Sequence, residues 1–377
     1  MKGVYLFPPV EVGCLGPNSG IEKKVRAQYD VLKKYFNCEL VILPEVTFSD
    51  SIFEKIIRRL PFTAGWRKWK YNNEFAIAEF IYIREPYYDY SFVKYLYKIK
   101  KSNNAVKILL EIPTYPPQPK KWTVRNFSYN IKDIFWCKIS HRFIDVIINY
   151  YGYKMIDRIP CITTINGYDF NNIKIAALSK EDNEIDIISV AVNAYWHGYE
   201  RVIKGLHLYY LHNGKMNYVY HLVGDPLPEY SELIKQYGLN DHVVLHGQLH
   251  GIELSSLYCK SMMGIDVLGG HRKNYPISSS LKSREYGAWG LPIITSSPVD
   301  YLDRNSKYQF IAPYDDSPLD FEAITNYFQA LTESRNIIEL KNEIRNNAEE
   351  HCNMNATMAP VIKWIKENCE DRGETSF

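Results

Sequence analysis

The residues best suited to chemistry lie in segment 277–295, which combines a helix start with cationic side chains. The three serines at 278–280 are typical helix N-caps, and the first backbone N–H groups of a helix are unpaired donors at the positive end of its dipole. Lys282 and Arg284 add positive charge to a first turn in which the dipole alone would favour acids. A bound anion would resolve that conflict, and phosphate is the obvious candidate. Gly290 predicts the end of the helix, and a short buried strand follows it.

The same segment resembles a known family. Residues 285–294 read Glu-Tyr-Gly-Ala-Trp-Gly-Leu-Pro-Ile-Ile, similar to the Glu-x-x-x-x-Gly-x-Pro-Ile/Val signature of family-4 retaining glycosyltransferases (glycosyl transferases group 1), which have the GT-B fold. The resemblance implies that Glu285 binds the donor ribose. It also implies that the preceding turn binds the nucleotide diphosphate through Ser279, Ser280, Leu281 and Lys282. The family usually has a second, sugar-binding glutamate where this chain has Ile277, which cannot accept hydroxyl hydrogen bonds.

A glycine-rich loop at 13–22 follows the first predicted strand and leads into the first predicted helix. Ser19 and Glu22 have the spacing of a capping box. Gly16 and Gly20 let the backbone approach a ligand at the carboxyl end of a strand, where open α/β sheets bind ligands. In the family that the chain resembles, such a loop meets the donor diphosphate or the acceptor. The loop matches neither a Walker loop nor a dinucleotide fingerprint, and a merely flexible connection is the alternative.

Glu111 ends the predicted buried strand 105–112 and begins Glu-Ile-Pro-Thr-Tyr-Pro, which is similar to a segment common in capsule and O-antigen glycosyltransferases. Its carboxylate could orient sugar hydroxyls, or act as a general base if burial raised its pKa. Glu111 is therefore the candidate catalytic residue. The alternative is an exposed acid at a strand end.

A second candidate phosphate site follows the predicted strand 185–192. The resembled family typically has Lys-Gly where this chain has His197 and Gly198, with an arginine a few residues earlier; here Arg201 lies one helical turn later. A helix start and a guanidinium suit a pyrophosphate, and His197 can bind a phosphate in either protonation state. Alternatively, His197 caps the helix and Arg201 is a surface charge.

A third cationic loop follows the predicted strand 263–268, where two glycines precede His271, Arg272 and Lys273. This arrangement suits an anion-binding nest, with Arg272 as the phosphate or sugar contact. The segment 166–169, Asn-Gly-Tyr-Asp, resembles a motif at the end of the first domain in the same family. It predicts a tight turn, and no chemistry is assigned to it.

No metal or other cofactor is expected. His242, His246 and His250 have helical ligand spacing, but the residues between the first two predict a strand that would scatter them over both faces. The sequence lacks an Asp-x-Asp pair for nucleotide-bound Mg²⁺ and the Gly-x-Ser-x-Gly elbow of hydrolases. GT-B enzymes stabilise the leaving phosphate with basic side chains and helix dipoles instead.

The distribution of charged residues indicates which kinds of partner the protein could bind. The net charge of +2 is unevenly spread, because residues 1–172 hold 26 basic against 16 acidic side chains and residues 173–377 hold 19 against 27. A basic half points to an anionic partner, with ordinary surface scatter as the alternative. Segment 58–71, which includes Trp66 and Trp69, mixes cations with aromatics and could rest on anionic headgroups. No nucleic-acid-binding motif is present.

The seven cysteines show no paired spacing, which favours reduced thiols in a cytosol. We find no signal peptide and no apolar run long enough for a membrane span. The expected location is cytoplasmic, with a peripheral contact on the inner face of the plasma membrane as an option.

Short apolar runs alternate with amphipathic stretches, the pattern of parallel-sheet α/β units, and 377 residues suggest about two domains. Predicted strands lie near 3–7, 38–44, 78–84, 105–112, 144–149, 162–166, 185–192, 218–224, 242–246, 263–268, 292–295 and 309–313. The resemblance implies a GT-B fold of two Rossmann-like domains facing across a cleft. We assign residues 1–172 to an acceptor-side domain, 173–354 to a donor domain and 355–377 to a terminal helix that returns to the first.

The function implied is transfer of a hexose from a nucleotide diphosphate sugar to a saccharide or lipid-linked saccharide. The resemblance implies retention of configuration and a role in bacterial surface polysaccharide synthesis. Ile277 keeps two alternatives open: a non-catalytic sugar-nucleotide-binding subunit, and a GT-B nucleotide-sugar epimerase.

Overall fold

The computed structural model describes residues 1–9, 20–44, 69, 74–115, 127–171, 173–175, 184–333 and 335–369. The chain divides into two compact units, one of Met1–Ile165 with the residues from Thr357 onward, and one of Asn166–Ala356. Gly16, Ser19 and most of the basic aromatic segment 58–71 lie outside the described residues.

The first unit is built on a sheet with the order β2-β1-β3-β4-β5-β7-β6. All its pairs are parallel except β6 with β7. Its strands are β1 Lys2–Phe7, β2 Asn37–Ile42, β3 Phe80–Arg84, β4 Lys107–Ile112, β5 Val146–Asn149, β6 Met155–Ile156 and β7 Ile159–Thr163. Its helices are α1 Gly20–Tyr35, α2 Glu74–Ile77, α3 Tyr90–Ser102 and α4 Phe127–Ser140.

The second unit has a parallel sheet with the order β10-β9-β8-β11-β12-β13. Its strands are β8 Glu184–Val190, β9 Asn217–Val223, β10 Val243–Gly247, β11 Met263–Ile265, β12 Ile293–Thr295 and β13 Gln309–Ile311. Its helices are α5 Glu200–Leu211, α6 Pro228–Gln236, α7 Gly251–Lys260, α8 Leu281–Ala288, α9 Phe321–Thr332 and α10 Ile337–Cys352. Helix α11, Met354–Asn368, carries the chain back into the first unit.

The elements form for ordinary reasons of burial and capping. The central strands are mostly apolar, as parallel strands covered on both faces must be; Val4–Phe7 and Ile108–Ile112 are all buried, with Glu111 as the charged exception. Asp89 begins α3 by accepting from the backbone N–H of Phe92 at 2.9 Å. Within the described residues, no helix is both long and apolar enough to cross a bilayer.

Helices α3 and α4 lie side by side on one face of the first sheet. Each connects two strands that follow one another in the same direction across the sheet, from β3 to β4 and from β4 to β5. Right-handed crossovers therefore place both helices on one face. The ring of Tyr90 at the start of α3 lies 5.4 Å from the ring of Trp136 in α4.

The residues that follow Ile165 pack on α10 in the second unit. The Arg345 guanidinium donates to the carbonyls of Phe170 at 2.8 Å and Ile173 at 3.1 Å. The backbone N–H of Tyr168 donates to the carbonyl of Cys352 at 2.8 Å. This short stretch is thereby fixed to the second unit by both side-chain and backbone bonds.

The predicted α/β class with two parallel-sheet units is confirmed. The strand that the sequence did not predict is β6, which pairs antiparallel with β7. Asp157 and Arg158 connect the two strands with φ angles of 47° and 68°, a left-handed turn of the kind that joins tight hairpins. Such turns usually carry Asn or Gly, so the Asp-Arg pair did not predict a hairpin turn.

Candidate functional site

The second sheet changes direction between its two central strands. From β8 the chain proceeds to β9 and β10 on one side, then crosses to β11, β12 and β13 on the other. The loops after β8 and β11 therefore diverge at the carboxyl edge and leave a crevice, which is where open α/β sheets bind ligands. Both cationic loops identified from the sequence lie at this crevice.

The two loops touch through glycine backbone. The N–H of Leu268 donates to the carbonyl of His197 at 2.8 Å. Gly198 has a φ of +70°, and a Cβ there would meet the Gly269 nitrogen at 2.7 Å. A Cβ on Gly269 would in turn meet the Trp196 carbonyl oxygen at 2.7 Å. Only glycine permits this approach, which fixes the position of His197 relative to the loop after β11.

Helix α8 begins at the crevice and is anchored by a buried acid. Ser280 is its N-cap and accepts from the Ser283 N–H at 3.0 Å. The Ser280 hydroxyl donates to Asp266 at 2.7 Å and the Ser278 hydroxyl donates to the other oxygen at 2.6 Å. Asp266 is fully buried. The predicted cap at Ser280 is confirmed, and the acid that holds it was not predicted.

The first turn of α8 leaves donors for an anion. The first N–H groups of a helix have no intrahelical acceptor, and the dipole makes this end positive. Lys282 lies in that turn and donates to the hydroxyl of Tyr199 at 3.0 Å, with its ammonium 3.7 Å from Asp266. Burial lowers the pKa of Lys282, and the charge of Asp266 opposes that effect. A bound phosphate would likewise favour its charged form.

His197 is neutral in this setting. Burial, followed by the charges of Lys282 and Lys273, lowers its pKa to about 2. The backbone N–H of Ala194 points to Nδ1 at 3.3 Å, so the ring proton lies on Nε2. The ring stacks on Tyr199 with centroids 5.3 Å apart. His197 can therefore offer a phosphate one neutral N–H donor and no positive charge.

Glu285 lies one turn beyond Leu281 on the same side of α8. Its carboxylate is half-buried and lies beside the phenols of Tyr168 and Tyr258. Burial and then the Glu285 charge raise the pKa of both phenols, so both stay protonated. The carboxylate can accept hydrogen bonds from a pair of ligand hydroxyls at a fixed distance from the helix start.

Six of the predicted donor contacts are thus brought together around the start of α8: His197, Ser279, Ser280, Leu281, Lys282 and Glu285. Ile277, at the position of the usual family glutamate, is 52% exposed just ahead of them. An exposed side chain packs against few neighbours, so core packing does not explain why this position carries isoleucine.

Arg201 has a different role from the predicted phosphate contact. Its side chain is fully buried, and its nitrogens donate to the carbonyls of Ser317 at 2.6 Å, Pro313 at 3.0 Å and Leu268. These bonds use the three nitrogens of the guanidinium. Because the Arg201 side chain has no exposed surface, a ligand could reach it only by displacing the neighbours to which it is bonded. Arg201 instead fastens the loops of the crevice to one another.

Arg272 and Arg284 are also bound within the protein. Arg272 donates to Asp316 at 2.7 Å through Nε, and it also contacts Glu200 and the Tyr195 carbonyl. A phosphate would have to compete with two carboxylates for it, which weakens its assignment as a ligand contact. Arg284 is fully buried against Asp300, so its charge in the helix start is neutralised internally. Of the two first-turn cations, Lys282 remains the one beside the crevice.

Asn166 is a site residue that was not predicted from the sequence. Its side-chain amide donates to the Ser279 carbonyl at 2.7 Å, and its own carbonyl accepts from Arg284 Nε at 3.0 Å. It therefore orients the turn that precedes α8. The signal was present in the Asn-Gly-Tyr-Asp segment, which was interpreted only as a turn. Tyr168 of the same segment lies beside Glu285.

Glu111 does not have the environment of a general base. It is fully buried, and its oxygens accept from Lys24 at 3.1 Å, Gln28 at 2.9 Å and Tyr82 at 2.5 Å, with Arg84 as a further partner. Burial alone would raise its pKa, but the charges of Lys24 and Arg84 outweigh burial and hold that pKa below its usual range. A saturated, ionised carboxylate has no oxygen left for a sugar. This environment favours a structural role for Glu111 over the predicted catalytic one.

Two other predictions concern the first unit. Gly20 is the first residue of α1 and is exposed, so it remains a candidate contact, whereas Gly16 is not among the described residues. Trp69 was expected on a membrane-facing patch. Its ring instead is partly buried and packs against the core, 5.2 Å from the ring of Phe92 and 4.6 Å from that of Tyr95 on α3.

Glu85, the residue after β3, is a titratable group that was not predicted from the sequence. Burial raises its pKa to about 7, although a hydrogen bond from Tyr88 at 2.8 Å acts in the opposite direction. It lies on the carboxyl edge of the first sheet, one residue beyond Arg84.

Replacing Glu85 with glutamine should stabilise the protein at pH 8 and change little at pH 5. A carboxyl whose folded pKa is raised contributes stability below its unfolded pKa, and that contribution is lost as pH rises through about 7. The neutral amide avoids that loss, which is about 3 kcal/mol at pH 8. Urea unfolding at both pH values checks this, with Glu322→Gln as an exposed control. An equal gain at both pH values would contradict the assigned pKa.

Comparison with known proteins places the fold. No protein-family model matches the chain, and neither does any curated protein. Among solved structures, it is similar to a glycosyltransferase from Rickettsia africae ESF-5 with a TM-score of 0.62 at 12% identity, covering 97% of this chain and 98% of that one. It is also similar to HepE from Anabaena in complex with UDP, with a TM-score of 0.59 at 11% identity and coverage of 97% and 100%. A sucrose-phosphate synthase from Thermosynechococcus elongatus gives 0.61 at 12% identity, with coverage of 97% and 99%. The shared feature is the GT-B fold.

Proposed function

We propose that this protein is a glycosyltransferase that moves a hexose from a nucleotide diphosphate sugar to a saccharide or lipid-linked saccharide. The observation that carries the proposal is the start of α8 at the sheet crevice, where helix N–H donors, Lys282 and His197 lie one turn from Glu285. Hydrogen-bond donors for an anion, with a carboxylate one helical turn away that can accept from a diol, suit a diphosphate joined to a ribose.

Each group has a role in the proposed complex. Glu285 accepts from the ribose hydroxyls. The N–H groups at the start of α8 and the Lys282 ammonium bind the diphosphate, and the neutral His197 donates Nε2–H to one of its oxygens. These donors counter the charge that develops on the leaving phosphate, so the proposal requires no metal ion.

The similarity to known structures supports the donor class. The neighbours include proteins named as glycosyltransferases, and HepE was solved with UDP, with UDP and glucose, and with UDP-glucose. We extend this to a sugar joined to a nucleotide diphosphate as the donor of the present chain.

The reaction we propose proceeds with retention. The bond between the anomeric carbon and the leaving phosphate breaks, and the acceptor oxygen bonds to that carbon from the same face. The proton of the acceptor hydroxyl passes to the leaving phosphate oxygen, so no protein carboxylate needs to act as base. This is in keeping with the saturation of Glu111. The proposed setting is bacterial surface polysaccharide synthesis, at the cytoplasmic side of a membrane.

Thermal unfolding with UDP, GDP, dTDP, ADP and CMP tests the donor site. A ligand at about a hundred-fold excess over its dissociation constant adds about 2.7 kcal/mol of stability, enough to raise the midpoint by a few degrees. We expect one nucleoside diphosphate to produce that shift. The absence of a shift with all five would reject the crevice as a nucleotide-sugar site.

Ile277 favours one second candidate, a subunit that binds a sugar nucleotide without turning it over. The exposed isoleucine cannot hold sugar hydroxyls where the resembled family has a glutamate. Turnover separates the two functions. Release of the nucleoside diphosphate that depends on an added saccharide acceptor indicates transfer, whereas binding with no release under any acceptor indicates the subunit.

A further inference from the structure

Helix α4 carries a stripe of exposed apolar side chains. Phe127 is 55% exposed, Ile131 47%, Ile134 39% and Phe135 45%. Their spacing of four, seven and eight residues from Phe127 puts them on one side of the helix. Four large apolar side chains on one helix side form a contiguous patch of the kind that marks an interaction surface.

The charges at the end of this stripe are positive. Lys138 continues the stripe along α4, and Arg142 follows just after the helix; both are exposed. The acid of α4, Asp133, lies on the other side, where its charge helps raise the pKa of Glu85. The exposed side of α4 is therefore apolar at its start and cationic at its end.

The neighbouring helix α3 adds a second basic and aromatic stripe. Tyr97 is 56% exposed and Tyr90 is 38% exposed. Lys94, Lys98 and Lys101 are exposed between and beyond them. The sequence of α3 contains no acid. Because α3 and α4 lie side by side on one face of the sheet, the two stripes form one surface, which we call the α3–α4 face.

We infer that the α3–α4 face is a docking surface for a bilayer that contains anionic lipid. Its aromatic and aliphatic side chains suit insertion at the level of the headgroups, and its lysines suit anionic phosphates. Charge decides among the occupants. A second copy of the face would oppose lysine to lysine, whereas an anionic bilayer complements the whole surface.

The α3–α4 face is separate from Trp69, which packs against the core. The inference adds a membrane surface to the proposed function. It depends on that function only for the lipid-linked acceptor. The ring contact of Tyr90 with Trp136 places the beginning of α3 beside the third turn of α4, so the first turns of α4 extend beyond it, towards the carboxyl edge of the sheet. A bilayer on these turns would present a lipid-linked saccharide at the edge where α/β units bind ligands.

Co-sedimentation of the full chain with vesicles tests the inference. We expect binding to phosphatidylcholine vesicles that contain about one third phosphatidylglycerol, and little binding to phosphatidylcholine alone. The double substitution Ile131→Ser with Phe135→Ser should reduce the bound-to-free ratio at least about tenfold. Lys94→Glu with Lys98→Glu should reduce it by about fivefold or more per lysine, with the effect fading at high salt.

Ile252→Ser is the matched control, because Ile252 is an 88% exposed apolar residue on α7 of the second unit. It should bind vesicles as the unaltered chain does. Vesicle binding that is absent, or unchanged in the α4 double variant, would overturn the inference. So would a dimer that dissociates in that variant with no vesicle binding. Nucleoside diphosphate stabilisation, measured on the same samples, reports on the donor site separately, so either idea can fail alone.

Discussion

Replacing Glu285 with alanine is expected to weaken nucleoside diphosphate binding by about 10- to 100-fold. Hydrogen bonds to a charged group contribute about 1.5–3 kcal/mol, and each 1.4 kcal/mol is about a factor of ten. Glu285 is half-buried, and the phenols of Tyr168 and Tyr258 lie beside its carboxylate. Titration calorimetry with the nucleotide selected by thermal unfolding measures the loss.

A dideoxy form of the same nucleotide makes this experiment specific for the ribose. The unaltered protein should prefer the ribonucleotide, and Glu285→Ala should bind both forms with similar affinity. Glu322→Ala, an exposed acid on α9, serves as the control and should keep the preference. If Glu285→Ala still discriminates between the two nucleotides, Glu285 does not contact the ribose.

Replacing Glu111 with glutamine should lower the free energy of unfolding by about 3–5 kcal/mol at pH 7, because breaking a buried ion pair leaves charge uncompensated. Lys24 and Arg84 would both keep their charge beside a neutral amide. The pKa of Glu111 is depressed in the folded state, so its contribution is present above the unfolded value of about 4.5 and is lost as pH falls below it. The difference between the two proteins should therefore shrink in acid. Urea unfolding at pH 7 and pH 4 measures it.

Glu39→Gln is the control for this change, since Glu39 is an exposed acid on the nearby strand β2. It should alter stability by less than about 0.5 kcal/mol. The opposite result for Glu111→Gln, unchanged stability with turnover abolished, would return Glu111 to a catalytic role and refute the structural one.

The fold was largely predictable because parallel strands leave a strong pattern. Runs such as 107–112 and 184–190 are short, rich in apolar residues and separated by amphipathic stretches, and each became a strand in the position expected. The terminal helix was also expected from its apolar face. Strand β6 was not, because two residues are too few to show a period and the turn after it lacks glycine and asparagine.

The backbone of the site could be predicted from the sequence, but the roles of its cationic side chains could not. The helix start at 280 follows from capping preference, which is local. Whether an arginine faces a ligand depends on which carbonyls need donors, and those of Pro313 and Ser317 lie more than a hundred residues from Arg201. Glu111 was misjudged for the same reason, since Lys24 reaches it across 87 positions. Pairing between charges that are far apart in the chain leaves no pattern in the local spacing of residues.

The hydrogen bonds of Arg345 limit where the chain can be divided into fragments that fold separately. A fragment of the second unit that begins at residue 173 would leave α10 without the carbonyl of Phe170 and without the backbone partner of Cys352. It would also lose Asn166, and with it the bond that orients the turn before α8. A fragment that starts ahead of Asn166 keeps all three bonds. The second unit is therefore best isolated with residues 166–172 attached, although these residues look like a linker in the sequence.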